Sequence, residues 1–163
     1  MCRNIQSHPW YQSANTVMAY AAMAGEPNLQ AVLDATLLEG KRLVLPRCEP
    51  DGTMTGRWIG CLEELTPGSY GIMEPDSDAP VAEPSEIDLI LTPGMAFDFA
   101  GGRLGRGRGY YDRFLAEYTG KTMGICYDGA LLEQVPMEDC DRRMDAVATD
   151  RRLLQFGTEG EAS

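Results

Sequence analysis

Three arginines alternate with glycines between residues 101 and 109, where the sequence reads GGRLGRGRG. Glycine lets backbone N–H groups approach an anion closely, and the planar guanidinium of arginine holds two phosphate oxygens at once. No acidic residue interrupts the stretch between Asp98 and Asp112, although the whole chain carries a formal net charge of −11. A short cationic segment in an acidic protein favours a local phosphate site over a surface that binds polyanions.

The elements predicted on either side of this segment are suited to position a phosphate. Residues 87–91 are mostly apolar and are bounded by Pro84 and Pro93, which predicts a buried strand. Residues 110–118 repeat aromatic and aliphatic side chains at helical spacing, which predicts an amphipathic helix. A glycine-rich turn that enters a helix directs N–H groups and the positive end of the helix dipole toward an anion.

Other interpretations of the segment were weighed against phosphate binding. It lacks the Walker pattern GxxxxGKS/T, and glycines followed by aromatic residues do not fit the dinucleotide fingerprint. An RGG-like RNA-binding tract is usually longer and disordered, whereas this segment lies between a strand and a helix. A plain glycine-rich connection with solvated arginines would explain one arginine or one glycine. Three arginines in alternation with glycines favour phosphate.

Length and composition predict one globular domain over residues 1–156, followed by a frayed tail over residues 157–163. Hydrophobic residues make up 44% of the chain, and no apolar run is long enough to span a bilayer. The acidic balance argues against nucleic acid or an anionic membrane as the main partner.

The cysteines and the single histidine exclude several other chemistries. The cysteines are odd in number, scattered and without CxxC spacing, so we expect reduced thiols, no zinc site and a cytoplasmic location. His8 is the only histidine, which excludes Ser-His-Asp triads and HExxH metal sites. The cysteines are Cys2, Cys48, Cys61, Cys126 and Cys140.

Alternating strands and helices predict an α/β fold, a three-layer open and mostly parallel sheet with helices on both faces. Its first unit is a strand at residues 16–23, a helix at 28–39 and a strand at 41–46, whose short connections imply parallel pairing. The other expected elements are a short helix at 7–13 capped by Ser7, an antiparallel strand at 53–59, an exposed acidic loop at 75–85, strands at 121–127 and 144–149, and a short helix at 130–135.

Two runs of the sequence resemble the signature of the 5-formyltetrahydrofolate cyclo-ligase family, also called 5,10-methenyltetrahydrofolate synthetases. They are PGMAFD at residues 93–98 and RLGRGRGYYD at residues 103–112, and the order of elements from residue 7 to residue 156 fits too. The resemblance implies a Rossmann-related, cyclo-ligase-like fold. It also implies an enzyme of one-carbon folate metabolism that uses ATP and magnesium to convert 5-formyltetrahydrofolate to 5,10-methenyltetrahydrofolate, releasing ADP and phosphate.

The resemblance also implies a role for each residue of the second run. Arg106, Arg108 and Tyr110 are the expected catalytic residues around the transferred phosphate, and residues 106–110 are expected to border the folate as well. The implied reaction phosphorylates the N5-formyl oxygen, after which N10 attacks the activated carbon and phosphate leaves. The expected ATP-binding residues are Arg103, Leu104, Gly105, Arg106, Gly107, Arg108, Gly109, Tyr110 and Tyr111.

Three residues outside that run match positions of the family's folate pocket. Glu26 matches a carboxylate that recognises the pterin ring, which offers adjacent N–H donors. Met23 and Tyr70 match apolar and aromatic positions of the pocket wall. Each also has an ordinary explanation, since Glu26 is equally a first-turn acid of the next helix and the other two are equally packing residues.

Two aspartates match positions that would hold magnesium. Magnesium prefers carboxylate, phosphate and water oxygens, which suits Asp112 and Asp145. The alternatives are an acid that stabilises a helix N-terminus for Asp112 and a surface acid at a strand edge for Asp145.

Family members usually carry a further helix, with basic residues that meet the ATP phosphates, before the segment matched by residues 9–11. Arg3 is the only arginine or lysine before Lys41, so we expect either a start upstream of Met1 or a site that binds ATP with fewer charges. The alternative function is a phosphate-binding module of the same fold with weak or no ligase activity. We expect a small-molecule folate partner, no nucleic acid or membrane, and a monomer, or a dimer if the N-terminal side is shielded.

Overall fold

A computed structural model describes residues 1–23, 25–68, 72–137 and 142–156. The helices in these ranges are α1 (Cys2–Ser7), α2 (Pro9–Ser13), α3 (Gln30–Leu38) and α4 (Tyr110–Ala116). The strands are β1 (Thr16–Met18), β2 (Arg42–Cys48), β3 (Met54–Ile59), β4 (Leu65–Pro67), β5 (Met73–Pro75), β6 (Val81–Ala82), β7 (Leu89–Pro93), β8 (Ala96–Asp98), β9 (Arg103–Leu104), β10 (Lys121–Ile125), β11 (Leu131–Leu132), β12 (Ala146–Ala148) and β13 (Leu153–Gln155).

An eight-stranded sheet forms the centre of the fold, in the order β13-β12-β10-β7-β1-β2-β3-β6. The inner strands from β12 to β2 are parallel to one another. The edge strands β13, β3 and β6 run antiparallel to their neighbours. Val17 of β1 pairs with both Leu43 of β2 and Leu89 of β7. The predicted open, mostly parallel sheet is therefore confirmed.

Helices cover both faces of this sheet, as the three-layer prediction requires. Neighbouring strand residues point to opposite faces, so Val17 and Met18 belong to different halves of the core. Helices α1 to α3 cover the Val17 face, where Leu33 is buried. Helix α4 covers the Met18 face through Leu115. In the part of the chain that the structure describes, no helix has the length and apolarity needed to cross a membrane.

The helices predicted at residues 28–39 and 110–118 are present as α3 and α4, but the residue that caps α2 differs from the prediction. The Asn28 carboxamide accepts a hydrogen bond from the Gln30 N–H at 2.8 Å and satisfies a donor at the start of α3. At α2, the His8 ring nitrogen Nδ1 accepts from the Trp10 N–H at 3.1 Å. Ser7 was the predicted cap, but it is the last residue of α1, and Pro9 begins α2 after His8.

The order of the strands reverses at β1. The chain passes from β1 outward to β2, and later returns to place β7 on the other side of β1. In open α/β sheets, a crevice forms at the carboxyl ends of the two strands that flank such a switch point. The carboxyl ends of β1 and β7 are therefore the expected place for a ligand.

The first strand is shorter than the predicted range of residues 16–23. The strand is Thr16–Met18, of which Val17 and Met18 pair on both sides, and the Ala19 N–H still bonds the Val44 carbonyl at 3.0 Å. Beyond that point the chain leaves the sheet, and the Met23 N–H bonds the Glu26 carboxylate at 2.8 Å. Tyr20 is buried although it lies beyond the end of β1. The apolar residues after Met18 therefore look like a continuation of the strand in the sequence.

Two other sequence predictions are wrong in part. Residues 130–135 do not form a helix, because Leu131–Leu132 pairs as a short strand beside β8 after a turn at Asp128–Ala130. Their apolar spacing is compatible with a helix and with a strand. Pairing with β8, which is distant in the sequence, selects the strand. The acidic loop at 75–85 contains β6, which extends the sheet beside β3. The tail at 157–163 lies outside the described residues.

A small second sheet, in the order β11-β8-β9, supports residues 101–109, the glycine-arginine segment. Asp98, at the end of β8, is 2% exposed and accepts backbone N–H groups from Ala100 at 2.9 Å, Gly102 at 2.7 Å and Val135 at 3.1 Å. Gly101 occupies the turn with φ of 87°, a conformation that disfavours other residues. Asp98 therefore fixes the hairpin from which the glycine-arginine segment begins.

Candidate active site

A cavity of about 290 Å³ opens at the carboxyl ends of the central strands. It lies where the strand order predicts a crevice, beside Tyr20 and Ala21 after β1 and Pro93 and Gly94 at the end of β7. Its wall also contains residues of β2, of β5 and of the glycine-arginine segment. These lining residues include Met23, Glu26, Pro46, Cys48, Glu74, Arg103, Gly105, Arg106, Arg108, Gly109, Tyr110, Tyr111 and Asp112.

Arg103 is the most firmly held cation of the cavity. Its side chain is 8% exposed, its Nε donates to the Pro93 carbonyl at 2.7 Å, and its Nη1 lies 3.4 Å from the Asp112 carboxylate. The guanidinium carbon also lies 5.2 Å from the centre of the Tyr111 ring. Burial lowers the pKa of Arg103, and the charge of Asp112 opposes that effect. Arg103 thus places a fixed positive charge at the cavity wall.

Arg106 is held less tightly and faces the predicted folate residue. Its side chain is 46% exposed, and its Nη2 lies 3.6 Å from the Glu26 carboxylate. Glu26 is 7% exposed at its side chain and accepts the Met23 N–H at 2.8 Å. The structure therefore brings together the predicted phosphate-binding arginine and the predicted pterin-binding carboxylate as an ion pair across the cavity.

The glycines shape the rest of the segment. Gly107 has φ of 90° with nothing near the position of an added Cβ, and Gly109 has φ of 72° immediately before α4. Arg108 and Tyr110 line the cavity together with Arg106, so all three predicted catalytic residues lie at its wall. Leu104 does not line the cavity. It belongs to β9 of the small sheet, and its carbonyl accepts the Met95 N–H at 2.8 Å.

The structure separates the two predicted magnesium ligands. Asp112 lines the cavity and is 52% exposed. Asp145 lies at the amino end of β12, where its carboxylate accepts the Thr122 N–H at 2.9 Å and lies 3.7 Å from Arg142. The cavity is at the carboxyl ends of the same parallel strands, so the register keeps Asp145 on the opposite edge of the sheet. Within the described ranges, no cluster of three or more His, Cys, Asp or Glu residues offers a metal site.

The remaining folate predictions have different outcomes. Met23 lines the cavity beside Glu26, whereas Tyr70 lies outside the described residues. Glu74, which has no place among the folate residues expected from the sequence, is 6% exposed, lines the cavity and lies 3.6 Å from Arg47. The short β4–β5 hairpin carries Glu74 to the cavity, and no local pattern in the sequence predicts where that hairpin packs.

Two tyrosine hydroxyls at the cavity have no hydrogen-bond partner among the described residues. They belong to Tyr20 and Tyr111, and both oxygens are buried. Burial raises the pKa of each phenol well above its usual value, so both stay protonated. Tyr111 is one of the predicted ATP-binding residues, but Tyr20 was counted only as part of a strand.

A smaller cavity of about 170 Å³ adjoins the first and shares Glu26, Arg106 and Gly94 with it. Its other lining residues include Met95 and Tyr127, both exposed. The Glu26–Arg106 ion pair therefore lies between two hollows, and an elongated ligand that displaced it would have space on both sides.

The fold and the cavity define an α/β protein whose cationic segment faces a buried carboxylate across a central crevice. The model of the 5-formyltetrahydrofolate cyclo-ligase family matches residues 1–150 of this chain. The chain belongs to this family.

Individual relatives and a solved structure agree with the family match. The chain is 35% identical over 151 residues to the 5-formyltetrahydrofolate cyclo-ligase of Mycolicibacterium smegmatis, covering 86% of this chain and 76% of the relative. It is 31% identical over 158 residues to that of Escherichia coli K12, covering 93% and 87%. A structure of Aquifex aeolicus 5,10-methenyltetrahydrofolate synthetase has a TM-score of 0.84 and 30% identity, covering 96% of this chain and 79% of that chain.

Proposed function

We propose that this protein is an ATP- and magnesium-dependent cyclo-ligase that converts 5-formyltetrahydrofolate to 5,10-methenyltetrahydrofolate. The family supports this activity. The single observation that carries it to this chain is the placement of Arg106 and Glu26 across one cavity, because the reaction needs a phosphate site and a pterin site in contact.

ATP supplies the phosphoryl group that makes the formyl oxygen a good leaving group, and Mg²⁺ offsets phosphate charge. The cavity has residues suited to the first of these groups. Arg103 is fixed by Pro93 and Asp112, and Arg106 and Arg108 line the same wall. Together they neutralise phosphate oxygens and position them, which is the main contribution of a protein to phosphoryl transfer.

The folate would lie on the side of the cavity that holds Glu26 and Met23. Glu26 accepts ring N–H groups with its carboxylate, and Met23 contributes apolar surface. The buried setting of Glu26 excludes water from those hydrogen bonds, which strengthens them. For magnesium, Asp112 is the predicted ligand that lies at the cavity, and phosphate and water oxygens would complete the coordination shell of the ion.

We also propose a cytoplasmic location, since the described cysteines Cys2, Cys48, Cys61 and Cys126 are all free thiols.

Mixing the protein with 5-formyltetrahydrofolate and Mg-ATP tests the proposal. We expect the near-ultraviolet absorbance of the methenyl product to appear, and to require both ATP and magnesium. ATP binding without product would favour the phosphate-binding module instead. Salt-sensitive retention of RNA without ATP binding would favour the RNA-binding interpretation of the arginine segment.

We expect Asp112→Asn to raise the magnesium concentration needed for half-maximal turnover by about tenfold, because it removes one anionic ligand. Asp112 is half exposed, so the melting temperature should change little. The measurements are turnover against magnesium concentration and thermal unfolding. Asp145→Asn is the matched control and should leave the magnesium dependence unchanged. Equal losses of stability and activity in Asp112→Asn would show that this carboxylate serves the fold, through Arg103 and the helix N-terminus, and not the metal.

A further inference from the structure

The Tyr20 hydroxyl is a buried polar group for which the described residues supply no partner. Tyr20 is 3% exposed, its oxygen is inaccessible to solvent, and no hydrogen bond reaches it from the described residues. A buried hydroxyl without a hydrogen bond destabilises a fold, because it loses its bonds to water without replacement. A phenylalanine would fill the same space without that penalty.

Other buried tyrosines in this chain are satisfied. The Tyr11 hydroxyl lies 3.2 Å from the Thr36 hydroxyl, and the Tyr118 hydroxyl donates to the Lys121 carbonyl at 3.2 Å. Both residues belong to the core and lie away from the cavity lining. The two buried tyrosine hydroxyls that lack a partner among the described residues, those of Tyr20 and Tyr111, both lie at the cavity wall. Their missing partner is therefore expected to be a ligand.

The surroundings of Tyr20 indicate which ligand. It follows β1 at the switch point of the sheet, on the segment that leads to Met23 and Glu26, and it lines the cavity with both. Tyr111 differs, because the guanidinium carbon of Arg103 lies 5.2 Å from the centre of its ring and links it to the cationic segment. Tyr20 thus belongs to the side of the cavity with Glu26, and Tyr111 to the side with the phosphate-binding arginines.

The chemistry of the folate ring fits the Tyr20 side. Its pyrimidine part presents N–H donors next to a carbonyl oxygen, so a site that recognises it needs an acceptor and a neutral donor side by side. Glu26 is an acceptor. Burial keeps the Tyr20 phenol protonated, which makes it a donor at every working pH.

We propose that the Tyr20 hydroxyl binds the folate substrate by donating a hydrogen bond to the ring carbonyl oxygen next to the N–H groups that Glu26 accepts. This inference rests on the proposed function and adds a substrate-binding residue to it. A site with a buried, unpaired donor also rejects analogues that lack the carbonyl, because the hydroxyl then stays unsatisfied.

Tyr20→Phe removes one oxygen and tests the proposal directly. We expect the dissociation constant for 5-formyltetrahydrofolate, measured by calorimetry without ATP, to rise about tenfold. The dissociation constant for ATP should change less than about twofold, and kinetics should show a higher KM for folate with a smaller change in kcat. The melting temperature of the free protein should stay the same or rise, because the variant removes an unsatisfied group.

Tyr11→Phe is the matched control, because it removes a hydroxyl that is already bonded to Thr36. It should lower the melting temperature and leave folate binding unchanged. Unchanged folate affinity in Tyr20→Phe overturns the inference, as does an equal loss of affinity for ATP. A fall in melting temperature like that of Tyr11→Phe would indicate a structural role and overturn it too. If the wild-type protein turns over while Tyr20→Phe is unaffected, only this inference fails; if the wild-type protein neither binds nor converts the folate, the proposed function fails.

Discussion

Arg106→Ala is expected to lower kcat/KM for ATP by about 100-fold, the effect of removing one preorganised donor to developing charge. Arg106 lines both cavities, and its ion pair with Glu26 at 3.6 Å directs it into the space between them. The charge-assisted bonds that it makes to phosphate should strengthen as phosphoryl transfer proceeds. Steady-state kinetics with varied ATP measure the effect.

Arg151→Ala provides the control for Arg106→Ala. It removes one positive charge from an exposed residue that does not line the cavity, so turnover should stay within about twofold of wild type. The melting temperature of Arg106→Ala should fall only modestly, since the largely buried Glu26 carboxylate loses its ion pair but keeps its hydrogen bond from the Met23 N–H. Unchanged turnover in Arg106→Ala would refute its assignment to phosphate.

Asp98→Ala should lower the free energy of unfolding by about 3 kcal/mol, because it leaves buried backbone N–H groups without an acceptor. The groups are those of Ala100, Gly102 and Val135, and Asp98 itself is 2% exposed. For a domain of this size the melting temperature should fall by roughly 10 °C. Denaturant unfolding gives the free energy, and Asp78→Ala, which removes an exposed carboxylate, is the control.

The same carboxylate should make stability depend on pH at the acidic end. Burial opposes ionisation of Asp98, but the backbone N–H donors outweigh it and lower its pKa below the ordinary 3.8. Its contribution is therefore complete above the unfolded-state pKa and is lost as the pH falls through the lower, folded-state pKa. The difference in unfolding free energy between wild type and Asp98→Asn should be constant near neutral pH and shrink below 3.8. A difference that does not change with pH would mean that the ionised form is not the bonded one.

The sequence predicted the parts of the site that are local in the chain. Residues 103–112 form a continuous run between a strand and a helix, so their composition alone indicated a phosphate-binding turn. The parallel sheet was also predictable, because its strands and helices alternate with clear periodicity. These features depend on neighbours within about ten residues of each other, where sequence patterns carry information.

The parts that could not be predicted depend on distant segments meeting. Tyr20 resembles a strand residue until the strand is seen to end at Met18, and Glu74 reaches the cavity on a hairpin whose packing has no local signal. Asp145 matched a family position, but the register of β12 places it at the far edge from Asp112. Residues 130–135 fit a helix and a strand equally well until β8 supplies a partner.

Under the proposed function, the ion pair between Glu26 and Arg106 links the two substrates energetically. Each residue neutralises the other in the ligand-free cavity, and each is assigned to a different substrate. Whichever substrate binds first separates the pair and leaves the second residue, largely shielded from water in the case of Glu26, with an unsatisfied charge. The second substrate relieves that charge and so binds more tightly. Positive heterotropic cooperativity, equal in both directions, is the consequence for ATP and the folate.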